Sequence, residues 1–144
     1  MALAKMKLED LICHRFYVAS NAMVRLYRPH LEALNITYPQ YLVLIALWEQ
    51  GELEVGDIKE KTRIDGGALS LILKKLEIKK LITIKKSQQD RRIKQVCLTD
   101  SGQHLEKQAV EIPKKLACQF PNVSAEDLQN LVMTIDKVLD SIVD

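Results

Sequence analysis

The chain lacks any apolar run long enough to span a bilayer. Its longest, YLVLIALW at residues 41–48, is eight residues, whereas a spanning helix needs about 20. The N-terminal MALAKMKLED has no apolar core and no small-residue cleavage site, so no signal peptide is expected and the cytoplasm is the expected location. Cysteine is scarce. Cys13, Cys97 and Cys118 are odd in number and form no CxxC, and no HxxxH spacing exists, which argues against a secreted disulfide scaffold and against a zinc site. His14, His30 and His104 are scattered and suggest no catalytic dyad. No metal and no cofactor is expected, and no membrane partner.

What is present is globular. A 144-residue chain that is 47% hydrophobic and 28% charged fits one domain, 1–144, with a core of its own. The net charge of +2 conceals an asymmetry: Gly66 to Val96 carries nine basic residues against Glu77 and Asp90, a local +7, leaving −5 elsewhere. Such a run is often only a solvated face, so its surroundings must decide.

Leu8, Leu11, Ile12, Phe16, Ala19, Ala22, Met23 and Leu26 recur every three or four residues. That spacing predicts a first helix from about Leu8 to Leu26, with Pro29 kinking or ending it. Cys13 is expected one to two turns into it, with Tyr17 a turn beyond. A second helix is expected from near Pro39 to Gly51, apolar almost all round and therefore central. A short helix at about Val55–Thr62, a turn, and a longer helix capped by Asp65 then form a helix-turn-helix pattern. In the longer helix Leu69, Ile72, Leu73 and Leu76 make the buried stripe. Gly66, Gly67, Ala68, Ser70, Leu71, Lys74 and Lys75 are the residues that would face DNA.

Directly after it, Ile82–Lys86 and Ile93–Leu98 alternate as two half-buried strands around a polar tip, Ser87–Arg92, that carries Asp90, Arg91 and Arg92. A basic hairpin behind a recognition-type helix is a winged helix-turn-helix, and a tip arginine suits a narrow minor groove. DNA binding thus outweighs the solvated face. A third long helix is expected from Asp100 to about Cys118, capped by Thr99 and kinked at Pro113. A last one follows Ser124, with Leu128, Leu131, Val132, Ile135, Val138, Leu139 and Ile142 as a continuous stripe. The first and last helices are too apolar to stand exposed, which points to a two-fold homodimer reading an inverted-repeat operator in double-stranded DNA. The fold class expected is mainly α with a small β-hairpin wing: a winged helix-turn-helix lobe at about 36–99, and dimerisation helices at about 5–34 and 100–144.

The stretch DRRIKQVCLTDSG (90–102) resembles the wing signature of the MarR family of winged-helix regulators. NITYPQYLVLIALWE (35–49), with a cysteine in LxxLIC upstream, resembles its organic-hydroperoxide-sensing branch. That resemblance implies a non-enzymatic repressor. Cys13 would be the thiol that attacks an organic hydroperoxide, Tyr27 and Tyr38 the tyrosines that hydrogen-bond its thiolate across the dimer, and Tyr17, one turn beyond Cys13, a further hydrogen-bonding tyrosine. Cys118 would be the resolving cysteine of a two-cysteine type, joined to the other subunit's sensor by a disulfide, and Asp90 with Arg92 the wing's acid–arginine pair. The recognition helix departs from the commoner DSGTLTP: here it begins DGGALSL, with Gly66 and Ala68 for hydroxyl residues and Leu71 for proline. From the residues alone, Cys13 reads first as an inert packing cysteine, and Cys97, on a wing strand, reads as structural or incidental. Two alternatives stay open: a regulator controlled by a small aromatic ligand held between the dimer helices and the wing, and a thiol peroxidase.

Overall fold

The computed structural model describes residues 5–142; the last two residues of the C-terminal stretch expected to dimerise lie outside it. Contacts divide the chain into two compact units, one ending at Ile112 and one beginning at Pro113. Among the described residues no helix is long and apolar enough to cross a membrane.

The first unit opens with one 3-10 turn, Leu8–Asp10, and helix α1, Ile12–Ala33. Of the expected kink or end at Pro29, the end does not occur: α1 runs through it for another turn. Proline removes one backbone donor and crowds the preceding turn, but Leu31, 2% exposed, anchors the end in the core. Its carbonyl accepts from the backbone N–H of Leu34 at 3.0 Å and of Ile36 at 3.1 Å. Asn35, with φ of 55°, then turns the chain. Helix α2, Tyr38–Gln50, starts from a capping box: the Thr37 hydroxyl accepts from Gln40 N–H, and the Gln40 amide oxygen from Thr37 N–H. It ends at Gly51, whose φ of 83° suits glycine. Tyr41, Val43, Leu44, Ala46 and Leu47 are buried, so α2 is the central helix, as its composition predicts.

A two-residue strand β1, Leu53–Glu54, leads into α3, Val55–Thr62, and α4, Gly66–Ile78. Strands β2, Ile82–Lys86, and β3, Lys94–Leu98, are antiparallel, and β1 pairs the other edge of β3, giving the order β1-β3-β2. The register sets Ile82 opposite Leu98 and Ile84 opposite Val96, so the alternating apolar residues share one face. β1 has no periodicity to read; it exists because Leu53 is buried beside Val96.

After Thr99, whose hydroxyl caps the Gly102 N–H, the expected long helix is two: α5, Asp100–Ala109, and α6, Glu111–Ala117. The break falls at Val110, ahead of Pro113. Proline at 113 has no N–H to offer the Ala109 carbonyl four residues back, and it disfavours helical geometry at Ile112. In the second unit α7, Ala125–Ile142, starts at Ser124, whose hydroxyl accepts from Asp127 N–H while the Asp127 carboxylate accepts from Ser124. Its stripe is exposed, Leu131 at 53% and Leu139 at 50%, except at the half-buried Ile135.

Candidate functional site

The helix-turn-helix is assembled by local caps. Thr62 donates its hydroxyl to Ile58 O at 2.7 Å, Arg63 closes α3 with a left-handed φ of 57°, and the Asp65 carboxylate accepts Gly67 N–H at 3.0 Å to start α4. Leu69, Leu73 and Leu76 are buried and Ile72 partly so, which seats the helix on the core. Gly67, Ala68, Ser70, Leu71, Lys74 and Lys75 are exposed on the opposite side, and Gly66 is half-buried at the first turn.

The wing tip is an ordered turn. Ser87 is buried, its N–H donating to Ile93 O at 2.8 Å and its hydroxyl accepting from Gln89 N–H at 3.3 Å. The Asp90 carboxylate takes three bonds from Arg92: backbone N–H and side-chain Nε at Oδ1, and Nη2 at Oδ2, at 3.0–3.1 Å. The Arg92 side chain nonetheless stays 90% exposed. The side-chain bonds from Arg92, then its backbone bond, hold the Asp90 carboxyl below the usual aspartate value. An exposed arginine is thereby aimed rather than left to rotate, with Arg91 exposed beside it.

The thiol residues occupy three settings. Cys13 is exposed and is the second residue of α1, so the expectation of one to two turns' depth is corrected to the first turn. The residues before it are the short 3-10 turn and Leu11, rather than a full helical turn. Cys118 is exposed, one residue past α6. Cys97, half-buried on β3, stays a thiol: burial, and after it the neighbouring Glu52 carboxylate, push it up, with Lys85 opposing.

Tyr27 and Tyr38 meet edge-to-face with ring centroids 5.1 Å apart. They belong to a larger cluster that the sequence reading missed. Tyr41 lies 5.8 Å from Tyr27 and 6.4 Å from Tyr38, and Trp48 is 6.3 Å from Tyr41 and donates Nε1–H to Gly102 O at 3.0 Å. Their spacing on α2 puts Tyr38, Tyr41 and Trp48 on one helical face, a signal masked by the apolar run between Tyr41 and Trp48. Burial, then Tyr27, raises the Tyr38 pKa; burial, then Tyr27 and Tyr38, raises that of Tyr41. Both remain hydroxyl donors at neutral pH. Tyr17 stands apart at 69% exposure.

Cys13 and Tyr27 are fourteen residues apart on one helix, about 21 Å along its axis. A tyrosine of this cluster therefore cannot serve the thiol of its own chain. At the junction of α1 and α2 a cavity of about 300 Å³ is lined by Val24, Leu31, Ile36 and Tyr38, with Arg28 and Glu32 among its walls. Beside it Lys79, the last cap of α4, donates to Asn35 O at 2.6 Å and to the buried Gln40 Oε1 at 2.9 Å. Burial, then Lys75, lowers its pKa. No motif announced this link, because it joins residues 44 and 39 positions apart.

Comparison with known proteins agrees with this geometry. The MarR family model matches residues 36–94. The organic hydroperoxide resistance transcriptional regulator of Bacillus subtilis (strain 168) is 39% identical over 137 residues, covering 95% of this chain and 92% of that protein. Among solved structures, overoxidised AbfR bound to DNA matches with a TM-score of 0.79 at 25% identity, covering 94% of this chain and 95% of that one. Disulfide-formed AbfR matches with a TM-score of 0.68 at 26% identity, covering 92% of each; AbfR is from Staphylococcus epidermidis.

Proposed function

Because the chain belongs to the MarR family of transcriptional regulators, we propose that it is a homodimeric, cytoplasmic repressor that binds an inverted-repeat operator and is released when organic hydroperoxide oxidises Cys13. The winged lobe at about 36–99 carries the DNA contacts, through the exposed face of α4 and through Arg91 and Arg92 at the wing. The helices at about 5–34 and 100–144 of the one domain pair two copies. The observation that carries the sensing role is the arrangement on α1: an exposed first-turn cysteine at one end, and Tyr27 held against Tyr38 at the other. One chain cannot bring them together, but an antiparallel second copy of α1 can, burying Leu8, Leu11, Ile12 and Phe16, all exposed in the single chain.

The tyrosine hydroxyls of one copy then donate to the thiolate of the other, stabilising the nucleophile without competing for peroxide. The Cys13 sulfur attacks one peroxide oxygen, the O–O bond breaks, and the alcohol leaves with a proton, giving a sulfenic acid. The thiolate of Cys118 from the second copy attacks that sulfur, forming the disulfide and displacing hydroxide, which leaves as water with the proton the Cys118 thiol gave up. A covalent tie between helices turns the two winged lobes, and both recognition helices lose register together. The similar B. subtilis regulator and the overoxidised and disulfide-formed states of AbfR support this chemistry.

The test is non-reducing electrophoresis of wild type and Cys118→Ser after one equivalent of cumene hydroperoxide. A covalent dimer in wild type, lost in the variant and reversed by dithiothreitol, is expected. Oxidation confined to Cys13 without a crosslink would mean a one-cysteine sensor, and no oxidation of Cys13 would refute redox control. The cavity at Tyr38 favours a second reading, control by a small aromatic ligand, since its volume lies at the lower end for such sites. Cys13→Ser would then leave regulation intact.

A further inference from the structure

The exposed face of α4 is poor in hydrogen-bonding groups. At 100° per residue, Leu71 lies within about 15° of the point opposite the buried Leu69–Leu73–Leu76 stripe. It is therefore the outermost side chain of the helix's N-terminal half and stands 63% exposed. Gly67, one turn before it, has no side chain, and Ala68 offers a methyl. Ser70 has already committed its hydroxyl proton to Gly66 O at 3.1 Å. Lys74 and Lys75, a turn later on either side of Leu71, carry positive charge, and the exposed Glu77 further along is engaged with the wing, its carboxylate accepting Ile84 N–H at 3.3 Å. The wing that follows α4 adds further cations, Lys85, Lys86, Arg91 and Arg92, all exposed.

Resting on the DNA-binding reading, we infer that Leu71, with Ala68, is the specificity-determining contact of the recognition helix, and that it reads the C5-methyl group of thymine in the major groove. The surrounding positive charge identifies the partner as a polyanion, and the N-terminal half of a recognition helix is the part that meets base edges. Bidentate readout of guanine or adenine needs Arg, Lys, Asn or Gln there, and the first two turns of α4 hold none of them. The only base-edge feature in the major groove that an isobutyl side chain recognises is the thymine methyl. The missing side chain at Gly67 lets the backbone come close enough for Leu71 to reach it. Lys74 and Lys75 then serve chiefly the flanking phosphates.

The probe is a short duplex recovered by in-vitro selection on the purified full-length protein. Each thymine is replaced in turn by deoxyuridine, which differs only by the absent methyl, and affinity is measured at one fixed salt concentration. Wild type should lose about fourfold for the critical thymine in one half-site and about fifteenfold when both are replaced. Leu71→Ala should bind parent and deoxyuridine duplexes alike, whereas Leu71→Met, which keeps an apolar contact, should retain the penalty. Equal binding of all deoxyuridine duplexes by wild type would overturn the inference while leaving DNA binding intact. So would an undiminished penalty in Leu71→Ala. Failure of selection to enrich any duplex would refute the DNA-binding reading itself and this inference with it.

Discussion

Replacing Gly102 by alanine sets two opposing effects against each other at the joint between the wing and α5. In an ordinary helix the change stabilises by up to about 1 kcal/mol, because alanine loses less backbone entropy. Here the added Cβ would sit against the Leu81 carbonyl, 3.0 Å from its carbon and closer still to its oxygen, and 3.1 Å from Leu98 Cδ2. The obstacle is backbone, which cannot rotate away. Favourable carbon contacts lie at 3.5–4.0 Å, so α5 must retreat by about 1 Å. Overpacking of this kind costs about 1–3 kcal/mol. The retreat also strains two bonds anchored on the same residue, the Thr99 cap at 3.1 Å and the Trp48 indole bond at 3.0 Å, each worth about 1 kcal/mol. The net loss is about 3 kcal/mol, or a fall in Tm of about 10 °C at fixed protein concentration. Trp48 emission should shift to the red as its N–H loses the carbonyl. Gly56→Ala is the contrast: among the described residues nothing beyond its own helix backbone and chain neighbours comes within 4 Å of its Cβ position in α3, so Tm should rise by about 2–4 °C. An unchanged or raised Tm in Gly102→Ala would refute the reasoning, since helix propensity would then have beaten packing.

Asp90→Asn should weaken operator binding several-fold without altering the selected sequence, because it frees the Arg92 guanidinium from its carboxylate fork. A fluorescence-anisotropy titration reads this. The Asp90 carboxyl titrates low in the folded chain, so its stabilising pairing is intact above the ordinary aspartate value and is lost as pH falls through the depressed one. NMR titration of that carboxyl should place its midpoint below the ordinary value. Tyr38 and Tyr41 are raised by burial above the ordinary tyrosine value of 10.0. Their stabilisation is complete below that value and disappears as pH climbs through the raised ones, because the unfolded chain gives up its phenolic protons first. Alkaline ultraviolet titration should show two late tyrosines, one deleted in each of Tyr38→Phe and Tyr41→Phe. Lys79→Met should cost about 1–2 kcal/mol in urea unfolding, since the Gln40 amide oxygen and the Asn35 carbonyl both lose a donor. A change indistinguishable from zero would mean water replaces the lysine.

The sequence by itself determined what is decided within one or two turns of chain. The bounds of α3 and α4 follow from Asp65 and from the periodicity of Leu69, Leu73 and Leu76. The start of α2 follows from Thr37, Pro39 and Gln40, and the wing follows from alternation about a polar tip. The caps join residues only a few positions apart, and the wing strands are neighbours along the chain, joined by one short tip. Only the tertiary structure decided the rest. α1 passes Pro29 because a buried Leu31 holds its end, and the helix expected to reach Cys118 divides at Val110, before the proline meant to kink it. β1 forms because Val96 lies beside Leu53, and the aromatic cluster spans Tyr27 to Trp48 because two helices cross there. Lys79 finds Asn35 and Gln40 across some forty residues. These outcomes depend on which surfaces meet, and the free energy of burying Leu31, or of leaving Gln40 without a partner, does not exist until the chain has brought them together.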